Sequence, residues 1–133
     1  MLSEGELVAE AEALGRTLAP GAVVLLEGEL GAGKTTFVQA LVRGLGVTAP
    51  ATSPTYALVH RYAGRRGPVF HLDCYRLRSP DEAADLDWEA LLSEGDALLV
   101  EWPERVREWL PAATVHVRLA HVADPALRAL EIG

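Results

Sequence analysis

The segment Gly28-Glu-Leu-Gly-Ala-Gly-Lys-Thr35 decides the fold of this chain. It fits the pattern G-x-x-x-x-G-K-[S/T] without a gap, and that pattern specifies a phosphate-binding loop (P-loop) when a strand precedes it and a helix follows. Both are predicted here. Residues 22–26 form a continuous apolar run, typical of a buried parallel strand. Residues 35–45 carry apolar side chains at helical spacing, so they are predicted to form a helix.

Each part of this loop has a chemical reason. Glycines let the backbone approach phosphate oxygens closely, and the N–H groups at a helix N-terminus attract anions. Lys34 can reach the β- and γ-phosphates, and the Thr35 hydroxyl can ligate magnesium. Lys34 is also the single lysine among twelve basic residues, at a place that needs a compact charge. The alternative is a glycine-rich turn that binds nothing. The loop residues predicted to contact a nucleotide are Gly28, Glu29, Leu30, Gly31, Ala32, Gly33, Lys34, Thr35 and Thr36.

Two acidic residues follow apolar runs that are predicted to be strands. Asp73 comes after residues 69–72, and Glu101 comes after residues 97–100. In open α/β sheets, the carboxyl ends of parallel strands gather at the edge where a phosphate loop also lies. Each carboxylate could therefore hold a metal ion, directly or through water, and the spacing alone does not choose between them. The alternative for each is a solvated acid at a strand end.

The whole-chain composition limits the class of protein. The chain has 133 residues, which fits a single domain over 1–133, and it has a net charge of −7. Tight direct binding to nucleic acid usually needs a basic face, so this charge argues against it. No apolar run approaches the roughly 18 residues of a membrane span. With one cysteine and no expected signal peptide, a cytoplasmic location is the default.

The remaining elements are predicted from capping residues, turns and apolar periodicity. Ser3 and Glu6 have the spacing of a capping box that opens a first helix. Arg65 and Arg66 lie in a predicted hairpin turn, where we expect solvated charge. The other predictions are a helix from residue 79, a short helix over 103–109, and strands over 114–119 and 127–132. The run 81–89 is predicted to be either an exposed acidic helix face or a surface that docks a partner. Together they predict an α/β fold, a P-loop NTPase-like three-layer sandwich with a mixed, mainly parallel central sheet.

The segment His71-Leu-Asp73-Cys74 contains residue types that bind metals. Neighbouring residues of a strand face opposite sides, so this spacing does not assemble a zinc site. We therefore expect a structural histidine and a buried thiol. Cys74 has no local group that would activate it as a nucleophile.

Four motifs together resemble one family in their order and spacing. They are GELGAGKTTF at 28–37, SPTY at 53–56, HLDCYRL at 71–77 and EWPE at 101–104, and they are similar to those of TsaE (YjeE) proteins, bacterial ATPases needed for threonylcarbamoyladenosine formation on tRNA. The resemblance implies ATP and Mg²⁺, with Thr35 and Glu101 as metal ligands. It implies Asp73 near the attacking water or the metal's water shell. It also implies that Thr55 lies in a switch-like loop near the γ-phosphate, Trp102 beside the nucleotide and Arg128 at the adenine pocket.

The same resemblance implies a partner rather than a tRNA substrate. The protein would act on a TsaB–TsaD complex, support its turnover, and meet tRNA only indirectly. Two alternatives remain open. A small-molecule kinase usually adds a substrate-binding insertion and an arginine-bearing lid, and this chain has only short connections after the P-loop helix. A nucleotide-sensing module without useful hydrolysis would not need the two acids.

Overall fold

A computed structural model of the chain describes residues 1–29, 31–49, 59–77, 80–112 and 114–133. Within these ranges seven strands form one sheet in the order β1-β7-β6-β2-β5-β4-β3. The four strands β6, β2, β5 and β4 run parallel, whereas β1, β7 and β3 join the sheet by antiparallel pairing. The strands are β1 (Leu2–Ser3), β2 (Ala22–Glu27), β3 (Val59–Gly64), β4 (Gly67–Asp73), β5 (Ala97–Glu101), β6 (Val115–His121) and β7 (Leu127–Ile132).

Helical elements cover both faces of this sheet. Helices α1 (Glu4–Thr17) and α2 (Lys34–Gly44) cover one face, which we call the long-helix face. The opposite face, the short-helix face, is covered by α3 (Pro80–Ala84), α4 (Trp88–Ser93) and three 3₁₀ turns at Cys74–Arg76, Pro103–Arg105 and Arg107–Trp109. The predicted three-layer α/β sandwich with a mixed, mainly parallel sheet is confirmed.

Alternation along the central strands decides which side chains reach the functional edge. On β2, Val24 and Leu26 pack under the long-helix face, while Val23 and Leu25 pack under the short-helix face. The same period of two applies to every strand. On β5, Ala97 and Leu99 pack under the long-helix face, and Glu101 is the next residue in this alternation. On β4, Val69 packs under the same face, and His71 and Asp73 follow it in the alternation. Both acids therefore lie on the side of the sheet that α2 covers.

The first helix begins as its sequence predicts. The Ser3 hydroxyl accepts a hydrogen bond from the Glu6 N–H at 3.2 Å, and the Glu6 carboxylate accepts one from the Ser3 N–H at 3.0 Å. Both halves of the capping box are present. Farther along, α1 crosses α2 so closely that a Cβ placed on Gly44 would lie 2.3 Å from the Glu12 carbonyl oxygen. Only glycine fits at this crossing.

The helix predicted to run through the acidic segment 81–89 is wrong as one continuous helix. Helix α3 ends at Ala84, and Asp87 caps a separate helix α4 by accepting a hydrogen bond from the Ala90 N–H at 3.1 Å. Leu86 and Trp88 are both buried. Residues two apart on a helix point in different directions, so a break is needed to bury both. The predicted helix over 103–109 is likewise two 3₁₀ turns.

The expectation of freely solvated arginines in the hairpin turn is also wrong. Arg66 donates from Nε to the buried Asp96 carboxylate at 3.1 Å and from Nη2 to the Leu18 carbonyl at 2.9 Å. Arg65 donates from Nη2 to the Gly44 carbonyl at 3.3 Å. These partners lie between 21 and 48 residues away in sequence, so no local pattern announces them. The turn is thereby fastened to the ends of α1 and α2.

Candidate nucleotide-binding site

A cavity of about 550 Å³ lies at the carboxyl edge of the parallel strands, beside the start of α2. Its volume is in the range of small-molecule sites. Glu4, Leu7, Tyr75, Pro125 and Ala126 line it together with nine residues singled out from the sequence. Those nine are Gly31, Gly33, Lys34, Thr35, Thr36, Asp73, Glu101, Trp102 and Arg128. The fold thus brings the P-loop, both acids, the tryptophan and the arginine to one place.

Other predicted residues lie elsewhere. Gly28 and Glu29 line a neighbouring cavity of about 460 Å³, which Trp102 also borders. Ala32 is fully buried, and its N–H donates to the Glu29 carbonyl at 3.1 Å. Leu30 and Thr55 are outside the described residues, as is the rest of the segment 53–56.

The P-loop backbone needs its glycines. Gly31 and Gly33 have φ angles of 78° and 103°, in the left-handed region that side chains disfavour. At Gly28 the constraint is space, because a Cβ would lie 2.6 Å from the Leu119 carbonyl oxygen. Gly33 is the N-cap of α2, so the positive end of that helix opens on the cavity.

Lys34 is buried where the loop becomes α2. Its ammonium donates to the Gly28 carbonyl and lies 4.0 Å from the centroid of the Trp102 ring. Burial lowers the pKa of Lys34, and the nearby charges of Glu101, Asp73 and Glu104 act in the opposite direction. A buried ammonium has given up hydration, so an anionic ligand in the cavity would stabilise its charged form.

The two predicted acids are direct neighbours. In the parallel pairing of β4 and β5, Asp73 lies opposite Glu101. Glu101 is buried, and its Oε2 is 2.8 Å from the Nε2 of His71. Asp73 is more accessible, and its carboxylate accepts a hydrogen bond from the Tyr75 N–H at 3.0 Å. The two carboxylates therefore differ in setting, one enclosed and held by a histidine, the other at the start of a turn.

Trp102 forms the boundary between the two cavities. Its φ of 57° is the one positive value at a non-glycine position within the described ranges. Such a conformation costs a side chain about 1 kcal/mol or more, so the surrounding contacts must hold it. The Tyr75 ring packs on it with centroids 5.2 Å apart. Tyr75 is a residue of the site that was not predicted from the sequence. Its position, two residues after the acid at the end of a predicted strand, was the available signal.

Arg128 joins the P-loop to the β6–β7 connection. Its Nη1 donates to the carbonyls of Pro125 and Leu127 at 2.8 Å, and its Nη2 lies 3.4 Å from the Gly31 carbonyl. Its buried Nε has no hydrogen-bond partner among the described residues.

Cys74 is a buried thiol, as expected from its sequence context. Burial, reinforced by the charge of Asp73, raises the pKa of Cys74 to about 12. The group stays protonated at neutral pH, so it is not a ready metal ligand or nucleophile. Elsewhere in the described part of the chain, no helix is long and apolar enough to span a membrane.

Comparisons with known proteins agree with this geometry. The sequence model of the family described as "Threonylcarbamoyl adenosine biosynthesis protein TsaE" matches residues 1–129. The chain is 43% identical over 123 residues to the tRNA threonylcarbamoyladenosine biosynthesis protein TsaE of Nostoc sp., covering 90% of this chain and 74% of that protein. It is 41% identical over 111 residues to the TsaE protein of Treponema pallidum, covering 84% and 82% of the two chains.

A solved structure shows the same fold. The crystal structure of Bacillus subtilis YdiB superposes with a TM-score of 0.76 at 29% sequence identity, covering 99% of this chain and 79% of that one. The family match spans nearly the whole sequence, and the aligned regions also cover most of the length of these relatives. The chain therefore belongs to the TsaE family, whose members are named for the biosynthesis of threonylcarbamoyladenosine in tRNA.

Proposed function

We propose that this protein binds ATP with Mg²⁺ in the 550 Å³ cavity and hydrolyses it, as the ATPase component of the machinery that forms threonylcarbamoyladenosine on tRNA. One observation carries the proposal: the start of α2, the Lys34 ammonium and the carboxylates of Asp73 and Glu101 all line a single cavity. A turn that only held an anion would need the N–H groups alone. Carboxylates beside them are what metal-dependent phosphoryl chemistry adds.

The residues at this place fit a magnesium ion. The Thr35 hydroxyl and the two carboxylates are oxygen donors in the same cavity, and Mg²⁺ prefers oxygen ligands while keeping several waters. Glu101, which is buried, and Thr35 would hold the ion, and Asp73 would act through water. When bound, the ion would neutralise charge on the β- and γ-phosphates.

The chain's own groups then divide the work. The N–H groups and positive end of α2 hold the phosphates. Lys34 exchanges its contacts with the Gly28 carbonyl and the Trp102 ring for phosphate oxygens. Asp73 accepts a hydrogen bond from the attacking water and so orients it. Arg128 borders the adenine, at the end of the cavity that Pro125 and Ala126 line.

The family membership and the net charge support the biological setting that we propose. The protein acts on a TsaB–TsaD complex and supports its repeated turnover in the cytoplasm. A net charge of −7 favours contact with tRNA only through that complex, because direct binding to a polyanion needs a basic face. No finger arginine is evident from the sequence, and P-loop enzymes without one can lose about 10³-fold or more in rate. Hydrolysis by the isolated protein should therefore be slow.

The first experiment replaces the single lysine. We expect Lys34→Ala to weaken ATP binding about 10- to 100-fold, the loss of a charge-assisted contact, and to stop hydrolysis. Binding is measured with a fluorescent ATP analogue and hydrolysis by phosphate release. Arg43→Ala is the matched control, since Arg43 lies on the same helix but pairs with Glu12 on its outer face. Unchanged affinity and turnover in Lys34→Ala would remove the ATPase assignment.

The second experiment tests the partner. Purified TsaB–TsaD is expected to retain the protein in a pull-down with ATP and to release it or hold it less well with ADP. Hydrolysis should rise when the complex is added. If retention is absent with both nucleotides while ATP binding persists, the nucleotide site stands and the partner is wrong. Many turnovers per second by the protein alone would contradict the partner-dependent rate.

A further inference from the structure

The Glu101 carboxylate is held by a neighbouring side chain outside the cavity lining. His71 Nε2 lies 2.8 Å from Glu101 Oε2, with side chains only 11% and 8% exposed. A carboxylate at this distance accepts, so Nε2 is the protonated nitrogen and donates to Oε2. This hydrogen bond engages Oε2 and not Oε1, and Glu101 lines the 550 Å³ cavity.

The His71 ring is itself fixed in place. His60 lies opposite His71 in the antiparallel pairing of β3 and β4, and the two rings stack with centroids 5.7 Å apart at an interplanar angle of 29°. His71 belongs to the same alternating set on β4 as Asp73, so its side chain is on the side of the sheet that α2 covers. A stack on one side and a carboxylate on the other leave the ring little freedom.

We propose that His71 is a positioning residue of the nucleotide site: its Nε2–H holds the Glu101 carboxylate in the orientation in which Oε1 meets the magnesium of a bound nucleotide. The inference rests on the proposed function. Groups that hydrogen-bond a metal-ligating carboxylate fix its direction, and their loss typically lowers metal affinity about 10- to 100-fold. His71 acts through Glu101 and touches neither nucleotide nor metal.

The chain offers a matched control for this pair. His116 Nε2 lies 3.0 Å from Glu27 Oε1, the same kind of contact in a partly exposed setting. Glu27 also lies 3.4 Å from the guanidinium of Arg118 and 3.6 Å from that of Arg107. Neither His116 nor Glu27 lines the 550 Å³ cavity. Removing His116 therefore breaks a histidine–glutamate contact without touching the proposed magnesium ligand.

The test compares ATP affinity with excess Mg²⁺ and with chelator, using a fluorescent ATP analogue. The ratio of the two affinities measures what magnesium adds. We expect His71→Leu to reduce this ratio about tenfold or more while leaving the affinity in chelator unchanged. His71→Gln should restore most of the ratio, because its terminal amide can donate from the place of Nε2. His116→Leu should leave the ratio as it is.

The outcomes separate positioning from mere structural support. Thermal unfolding of each variant checks the fold, and His71→Asn, whose amide is too short to reach Oε2, replaces His71→Leu if that variant does not fold. An unchanged ratio in the Leu variant overturns the proposal. So does an equal loss in His71→Gln, or a loss of affinity that is the same with and without Mg²⁺. Failure of the unmodified protein to bind ATP at all would instead overturn the proposed function.

Discussion

The two faces of the sheet are built from the same strands but covered in different ways. The long-helix face carries helices of 14 and 11 residues, and the short-helix face carries helices of 5 and 6 residues with three 3₁₀ turns. Each face buries its own alternating set of strand side chains. The two faces therefore differ in the helices that cover them and not in the strands that form them.

The two faces contribute to the site in different ways. Long helices can approach backbone to backbone, as α1 and α2 do at Gly15 and Gly44, and this fixes the support on which the P-loop stands. Tyr75 lies within the 3₁₀ turn that follows β4, and Trp102 precedes the 3₁₀ turn that follows β5. Both residues therefore line the cavity at the carboxyl edge of the sheet.

The largest expected effect is on the reactivity of the only cysteine, which lies under the short-helix face. Since burial raises the pKa of Cys74 from 9.0 to about 12, its thiolate population at pH 8 should be about a thousandfold smaller than in the unfolded chain. Alkylation by iodoacetamide, with and without urea, measures this. Rapid labelling in native buffer would show that the Cys74 thiol is accessible in the folded protein, and would contradict the burial of residues under the short-helix face.

The same shift has a pH signature with a definite sign. The folded state keeps a proton on Cys74 that the unfolded state loses, so this group makes stability fall as pH rises from about 9 to about 12. Below pH 9 both states are protonated and this group makes no difference.

A smaller but still large effect is expected at the helix crossing. Gly44→Ala should destabilise the protein by about 1–3 kcal/mol or more, because the new methyl group would meet the Glu12 carbonyl at 2.3 Å. Urea unfolding measures the loss. Gly5→Ala is the control, because nothing lies within 4 Å of that position, and it should stabilise α1 by about 0.5–1 kcal/mol. Equal stability of the two variants would mean that the crossing is not close-packed.

The smallest effect is expected at the edge of the short-helix face. Trp88 and Trp109 stack with centroids 6.0 Å apart and rings 4° from parallel, and Trp109 is 37% exposed. Trp109→Leu, which keeps a large apolar side chain, should lose the stacking contribution of about 0.5–1.5 kcal/mol, and Trp109→Phe should keep most of it. Near-ultraviolet circular dichroism and urea unfolding check both. A loss of unfolding free energy equal to that of Gly44→Ala would show that the two faces are packed equally tightly, and would contradict the difference described above.

Two parts of the site could be predicted from the sequence. The P-loop follows from residue spacing, and the placement of Asp73 and Glu101 at one edge of the sheet follows from the rule that the carboxyl ends of parallel strands meet there. The contact between His71 and Glu101 joins residues 30 apart, and it depends on which strands are neighbours and in what register. No periodicity in a single strand contains that information.

Two other differences have the same long-range cause, and a third does not. Arg66 reaches Leu18 across 48 residues, and the two-residue strand β1 exists because Leu2 pairs with Arg128 at the far end of the chain. The break before α4 had a local cause, because Leu86 and Trp88 both have to be buried. The spacing of the apolar residues in that segment is incompatible with one continuous amphipathic helix.

The N–H groups at the start of α1 and of α2 are satisfied by different means, and this has a thermodynamic consequence. At the start of α1, the side chains of Glu6 and Ser3 accept hydrogen bonds from the N–H groups of Ser3 and Glu6, so both acceptors come from within the chain. Helix α2 begins after Gly33, which has no side chain to offer, and its first residue is a cation. A bound anion would supply at the start of α2 the kind of stabilisation that the capping box gives to α1. For the ATP proposed here, a concentration 100 times the Kd would add about 2.7 kcal/mol to the free energy of unfolding, so the equilibrium between folded and unfolded protein would depend on the nucleotide concentration.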